Sequence, residues 1–239
     1  MQKDIKKELT ILAEKYETKN FLKADPSQVM HSFSSPLLQE KSAFIAAALS
    51  YGNRKVFIPR IYFLLDLYLS KGLLLPDDDK CFYRLHTNRM VNKFLVTLDE
   101  IYTSYGSIKQ MMKTNEVHTG IDAVKLITSF FADRNATELI PKNTNSACKR
   151  VCMFLRWMVR DNSPVDLGLW SDIIDKSTLI MPMDTHVLQE AHKLELIKSK
   201  SGSMTTAIKL TETLKTIFPG DPTKADFALF GLGVDEERN

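Results

Sequence analysis

Lys149 and Asp184 are the two side chains of this 239-residue chain whose types and settings invite joint chemistry. A lysine amine, when neutral, attacks electrophilic carbon and forms imines. A carboxylate held in place lowers the energy of a positive charge that develops beside it. Lys149 follows the polar stretch Pro141-Lys142-Asn143-Thr144-Asn145-Ser146 and falls in the first turn of a helix expected from about Ala147 to Arg160. Helix-start amides and the adjacent Arg150 favour the neutral amine there. Taken alone, such a lysine also reads as an ordinary solvated helix residue. Asp184 follows Pro182 and opens another helix, so it reads first as an N-cap, a role whose loss costs about 1 kcal/mol. The cap and a chemical role are compatible, because a capping carboxylate is rigidly held.

Other constellations point to less. Cys81, Cys148 and Cys152 are an odd number of thiols, too few for a four-thiolate cluster, and read as free. His86, His118 and His186 complete no recognisable zinc spacing, and His186 is expected to orient a neighbour; no metal or other cofactor is expected. Apolar residues make up 44% and charged residues 26%, which excludes a disordered or fibrous chain. The net charge of +3 excludes a histone-like binder but leaves room for a local basic patch. Met1 to Glu8 hold no apolar core of a signal peptide, and no run reaches the ~20 apolar residues of a membrane span, so a cytoplasmic protein is expected.

The elements that must position these residues read as helices throughout. Ile5, Leu9, Leu12 and Tyr16 mark a first amphipathic helix within residues 3–22. Asp25-Pro26-Ser27 and Ser35-Pro36 are helix starts. Leu37 to Tyr51, closed by Gly52, is so rich in small and apolar residues that it must be buried on most sides. Further helices are expected at Lys55–Lys71, as a short one started by Pro76-Asp77-Asp78-Asp79, at 88–104, 119–132 and Asp166–Ile174, and from Asp184, Ser203 and Asp221-Pro222. Sustained alternation is absent, so no sheet is expected, and residues 1–239 form one all-α domain. Val151, Phe154 and Trp157 share a helix face and read as core. Arg156 and Arg160 lie four apart on the same helix; ion pairing with Asp161, Asp166 or Asp172 is expected ahead of phosphate anchoring.

Met183-Asp184-Thr185-His186-Val187, with Asp226-Phe227-Ala228-Leu229-Phe230-Gly231-Leu232-Gly233 about forty residues later, is similar to the catalytic-aspartate segment and closing helix of the helix–hairpin–helix–GPD superfamily. Ser42 to Asn53 resembles its early buried helix and the loop after it, and 141–150 occupies the place of its hairpin and lysine. Arg156 to Arg160 and Val165 to Trp170 look like hallmarks of one bacterial branch. The resemblance covers residues 35–233, with 1–34 as an N-terminal helical extension. It implies two helical subdomains around a cleft, as in endonuclease III-like and archaeal 8-oxoguanine glycosylase-like enzymes.

The resemblance further implies a DNA-repair N-glycosylase, with or without AP-lyase activity. Its expected partner is double-stranded DNA carrying a damaged base or an abasic site, bound by a monomer. Lys149 is then the nucleophile and Asp184 the electrostatic stabiliser. Lys142, Asn143, Asn145 and Arg150 are the expected phosphate contacts, and Asn53 faces the DNA. Phe227 and Phe230, three apart on the last helix, could stack on an extruded base, although core packing is the commoner fate of such a pair. A non-catalytic nucleic-acid-binding module on the same fold is the alternative. Three departures stand out. No glycine lies between Gly120 and Gly168, so Asn143 and Asn145 would have to take the left-handed backbone positions. Lys149 and Asp184 are 35 residues apart, as in the archaeal branch rather than the endonuclease III type. Gly52 or Asn53 stands where a glutamine wedge is common.

Overall fold

A computed structural model describes the backbone of residues 2–236 and the side chains of residues 5–233. Helix α1 (Gln2–Tyr16) is followed by 3₁₀ turns at Lys19–Ala24 and Pro26–Ser32, then α2 (Pro36–Leu49) and α3 (Arg54–Leu65), whose end widens into a π turn over Asp66–Ser70. A hairpin of β1 (Cys81–Tyr83) and β2 (His86–Thr87) leads into α4 (Asn88–Tyr105), α5 (Ile108–Thr114), α6 (Gly120–Asp133) and α7 (Lys149–Val159). The chain finishes with α8 (Thr185–Lys193), α9 (Met204–Lys215) and α10 (Ala225–Glu236). The protein is mostly helical, as its periodicity requires.

The all-round apolar character of α2 decides the centre of the fold. Ala43 to Leu49 are each at most 1% exposed. Phe44 projects from α2 into a ring cluster: its centroid lies 5.8 Å from Phe94, 5.7 Å from Phe131 and 4.9 Å from Phe154. One side chain each from α4, α6 and α7 is thereby tied to α2. Val151, Phe154 and Trp157 are buried in the same core, as their spacing predicts. At the other end of the molecule α1 packs along α10, which also holds α8.

Five local expectations are corrected. The first helix stops at Tyr16, and the chain goes on as a 3₁₀ turn. Pro76 to Asp79 starts no helix. Asp78 accepts from the Lys80 amide (3.1 Å) and Asn88 Nδ2 (2.7 Å), so its side chain makes a turn instead of a cap. Against the expectation of no sheet, the turn feeds a small antiparallel hairpin, in which Tyr83 pairs with His86 and Arg84 takes a left-handed φ of 53°; its strands are too short for alternation to register. Residues 166–174 form successive turns, not a helix. Their amides are spent on the end of α7: Leu167 N donates to the Trp157 carbonyl (2.8 Å) and Trp170 N to that of Met158 (2.7 Å). Finally, α5 is a helix that the periodicity of its seven residues was too short to announce.

Glu40 holds α5 in place. It is 3% exposed and accepts four hydrogen bonds, from Tyr102 Oη (3.0 Å), Trp170 Nε1 (2.9 Å) and the Ile108 and Lys109 amides (2.7 and 3.1 Å). The two amides are orphan donors of the α5 N-terminus, so a buried acid from α2 caps a helix 68 residues away. Burial pushes the Glu40 carboxyl above its usual range, and the four donors pull it back. Glu40→Gln should be strongly destabilising, because an amide NH₂ must then face donors. About 3 kcal/mol is expected for two buried groups left unsatisfied. Thermal unfolding would record a midpoint lower by ~6–12 °C.

Candidate functional site

The loop after α2 is shaped by close approach. Ser50 Oγ donates back to the Ala46 carbonyl (2.7 Å), and Gly52 then turns the chain with a φ of 83°. That φ strains any side chain, and a Cβ at position 52 would also displace Arg84 Nη1 at 2.5 Å and the Tyr83 hydroxyl at 2.7 Å, so the position favours glycine. The hairpin is bolted to this loop through two tyrosines. Tyr83 Oη donates to the Tyr51 carbonyl (2.6 Å) and Tyr51 Oη to that of Tyr83 (3.1 Å). Burial pushes the Tyr51 hydroxyl up to about 12, which keeps it a donor. Leu85, at the hairpin tip, is 85% exposed. Asn53 is exposed and spends its side chain on capping α3, accepting from Lys55 N (2.9 Å).

The turn before α7 is built differently from the expectation. Asn143 Oδ1 accepts from Asn145 N (3.0 Å), an Asx turn, and neither asparagine is left-handed. The left-handed residue is Cys148 (φ 46°, ψ 39°), which occupies the cap position of α7 without a side-chain capping bond. Its thiol lies 3.4 Å from the Asn143 and Ser146 carbonyls, and the turn is stapled to the loop before α9 by Ala147 N donating to the Gly202 carbonyl (3.0 Å). A buried side chain with partners on both sides of the turn compensates the strain a glycine would have avoided. Lys142, Asn143 and Asn145 are exposed on this turn.

Asp184 caps α8 as its sequence setting requires, accepting from Val187 N (2.9 Å). Its second oxygen, Oδ2, lies 3.7 Å from Lys149 Nζ. The lysine side chain is 31% and the aspartate 43% exposed, so the pair stands at a surface opening and not in the core. Two adjoining cavities meet there. The first, about 520 Å³, is walled by Ser50 to Gly52, by Ser146 to Arg150 and by Met183. The second, about 420 Å³, is walled by Phe21, Arg156, Asp226 and Phe230. Asp25, Arg54, Lys149, Met153 and Asp184 face both.

Arg150 reaches into the first cavity's wall, not outward. Its Nη1 donates to the Ala48 carbonyl (2.5 Å), and the guanidinium lies 5.4 Å from the Tyr51 ring centroid. It thus compensates the negative end of α2. Phe227 and Phe230 are separated in fate. Phe227 is fully buried, edge-on to Phe21 at 5.0 Å, with the Arg156 and Arg160 guanidinium groups 4.6 and 5.5 Å from its ring. It packs as a core residue. Phe230 lines the second cavity, with Arg54 5.1 Å from its ring. The His186 ring lies against Gly233, where any Cβ would collide with it.

Arg156 and Arg160 are buried, each 2% exposed, which excludes phosphate anchoring. Of the expected partners only Asp166 is used, with Nε of Arg156 at 3.3 Å and Nη1 of Arg160 at 2.6 Å. The rest come from far along the chain: Arg156 also pairs with Asp226, and Arg160 with Glu17 (2.8 Å) and Asp221 (2.8 Å). Asp226 and Asp25 are the site carboxylates that sequence reasoning missed: Asp25 reads locally as a helix-start residue, and Asp226 reads as part of the closing helix without a role of its own. Burial pushes the Asp226 carboxyl above its usual range against the pull of Arg156 and Lys149.

One signal in the sequence could have found the walls. Residues 41–65, 80–98 and 139–160 contain thirteen of the 32 basic residues and none of the 29 acidic ones. These are the segments that supply the loop after α2, the hairpin and the turn into α7. The small net charge hides this segregation. Among the described residues no group of three or more His, Cys, Asp or Glu is arranged to hold a metal ion. All three cysteines are free, with Cys148 and Cys152 buried. No helix of the described residues is long and apolar enough to cross a membrane.

Comparison with known proteins adds a family. No curated protein and no solved structure matches the chain. A family model described as "Protein of unknown function (DUF2400)" matches residues 25–235, most of the chain, and the protein belongs to that family.

Proposed function

We propose that the protein is a DNA-repair N-glycosylase of the helix–hairpin–helix type, with AP-lyase activity, working on double-stranded DNA that carries a damaged base or an abasic site. The reading rests on one observation: Lys149 Nζ and Asp184 Oδ2 lie 3.7 Å apart where two cavities join. The acid-free segments around them suit a phosphate backbone, which rewards clustered cations. Lys142, Asn143 and Asn145 are available to phosphates on the exposed turn. Arg150 acts on the loop beside them by fixing Ala48 and Tyr51. Leu85, exposed at the hairpin tip, would serve as the apolar wedge that enters a gap in the base stack. α2 to α7 and the α1, α8–α10 group serve as the two halves around the cleft.

In this reading the Lys149 amine, once its ammonium proton has passed to solvent, bonds to the sugar C1′ as the C1′–N bond breaks. The bonding pair leaves on the base nitrogen, which takes up a proton. Asp184 stabilises the positive charge that gathers on the sugar ring as the bond breaks. The amine then sheds its protons as the C1′–O4′ bond opens, and an imine remains. The imine then loses a C2′ proton to water, and the electron pair forms a C2′=C3′ double bond as the 3′ phosphate leaves, which cleaves the strand.

The test is borohydride trapping with a panel of lesion-bearing duplexes and an abasic duplex, alongside release of free base. A covalent adduct together with base release from one lesion class is expected. Duplex binding without adduct or base release would overturn the enzyme and leave a binding module on the same fold.

A further inference from the structure

One wall of the second cavity comes from outside the stretch the family shares. Phe21 lies on the 3₁₀ turn Lys19–Ala24, before the matched residues 25–235. It lines the cavity together with Phe230, and the two rings meet edge-to-face at 5.0 Å and 75°. The other walls are charged at Asp25, Asp184, Asp226, Arg54, Lys149 and Arg156 and are completed by Met153, Val187, Gly233 and the His186 ring. Phe21 and Phe230 are the two phenyl surfaces offered to anything that enters, beside the smaller His186 ring.

The segment that carries Phe21 is firmly seated. Helix α1 packs along α10 so closely that any Cβ at Gly231 would run into the Tyr16 ring. Tyr16 in turn stands edge-on to Phe230 at 5.8 Å. Glu17, only 8% exposed, is ion-paired with the buried Arg160 at 2.8 Å. Phe21 is thus fixed between an ion pair four residues before it and the ring contacts to α10. Placement of this kind is what selects among flat ligands, because stacking and edge contacts depend on ring position.

We infer that residues 17–24 are a selectivity element of the site, with Phe21 contacting the extruded base while Glu17 sets where Phe21 stands. This inference rests on the glycosylase reading. An occupied cavity needs the wall and an empty one does not, so the wall matters for removing a base and not for processing an abasic site.

The experiment compares wild type, Phe21→Ala and Phe21→Leu in two assays: single-turnover base release from the lesion duplex found for the wild type, and borohydride trapping on an abasic duplex. Phe21→Ala should lose at least tenfold in base release and stay within about twofold of wild type in abasic trapping. Phe21→Leu retains apolar packing without the ring; it should show the same split between the two assays, although its two lost ring contacts lower the thermal midpoint. Equal losses in both assays would reduce Phe21 to a packing residue and overturn the inference, as would undiminished base release. Wild-type protein inactive in both assays overturns the glycosylase reading itself, and this inference with it.

Discussion

Lys149→Gln is expected to abolish the borohydride adduct, while Asp184→Asn slows base release by ~10²–10³-fold without abolishing binding. The two substitutions separate chemistry from architecture. Asparagine caps helices as well as aspartate does, so Asp184→Asn keeps the bond from Val187 N, and thermal stability should change by under ~1 kcal/mol. The 3.7 Å ion pair to Lys149 is also lost, but exposed pairs of this kind contribute only ~0–1 kcal/mol. A large rate loss at nearly unchanged stability can then come only from the missing charge. Single-turnover rates and melting curves on the same preparations decide it. Wild-type rates from Asp184→Asn would make Asp184 a helix cap and nothing more. An adduct surviving in Lys149→Gln would move the nucleophile to another amine.

Arg160→Met should be the most destabilising single substitution among the charged residues. The guanidinium is 2% exposed and binds Glu17, Asp166 and Asp221 at 2.6–2.8 Å. Methionine fills much of the volume but leaves Asp166, whose side chain is fully buried, with Arg156 as its remaining counter-ion. Breaking a buried network from one side costs ~3–5 kcal/mol. The pH dependence gives a second signature. Burial already pushes the Asp166 carboxyl above its ordinary 3.8, so the folded state binds its proton more tightly than the unfolded chain does. A raised carboxylate costs stability as pH rises from the unfolded value through the folded one. Without Arg160 the folded value rises further, so more of that cost is expressed at neutral pH. The difference in unfolding free energy between variant and wild type should therefore shrink as pH falls from 7 toward 5. Adding Asp166→Asn should recover part of the loss at pH 7. A pH-independent difference below ~1 kcal/mol would mean that the network contributes no more than a surface pair.

Much of the architecture was legible along the chain because its causes are local. Asp184 caps α8 and Gly52 ends the α2 loop, since a carboxylate before an amide turn and a residue without Cβ act on their immediate neighbours. The burial of α2 followed from its composition, because a helix apolar on every side has no stable place except the core. The Lys149 and Asp184 segments were identifiable as helix starts for the same reason. Their meeting at 3.7 Å was not, since it depends on how α7 and α8 approach each other across 35 residues of chain. Tertiary packing alone decided that Arg156 and Arg160 turn inward, because their partners Asp226, Asp221 and Glu17 lie 61 to 143 positions away and periodicity carries no record of distant charge. It likewise turned Phe227 inward and left its neighbour Phe230 on the cavity, a difference of three residues on one helix set by where α1 lies against it. The left-handed turn into α7 went to Cys148 and not to an asparagine, because that position, and not 143 or 145, has a buried side chain whose contacts to the turn carbonyls hold a strained backbone.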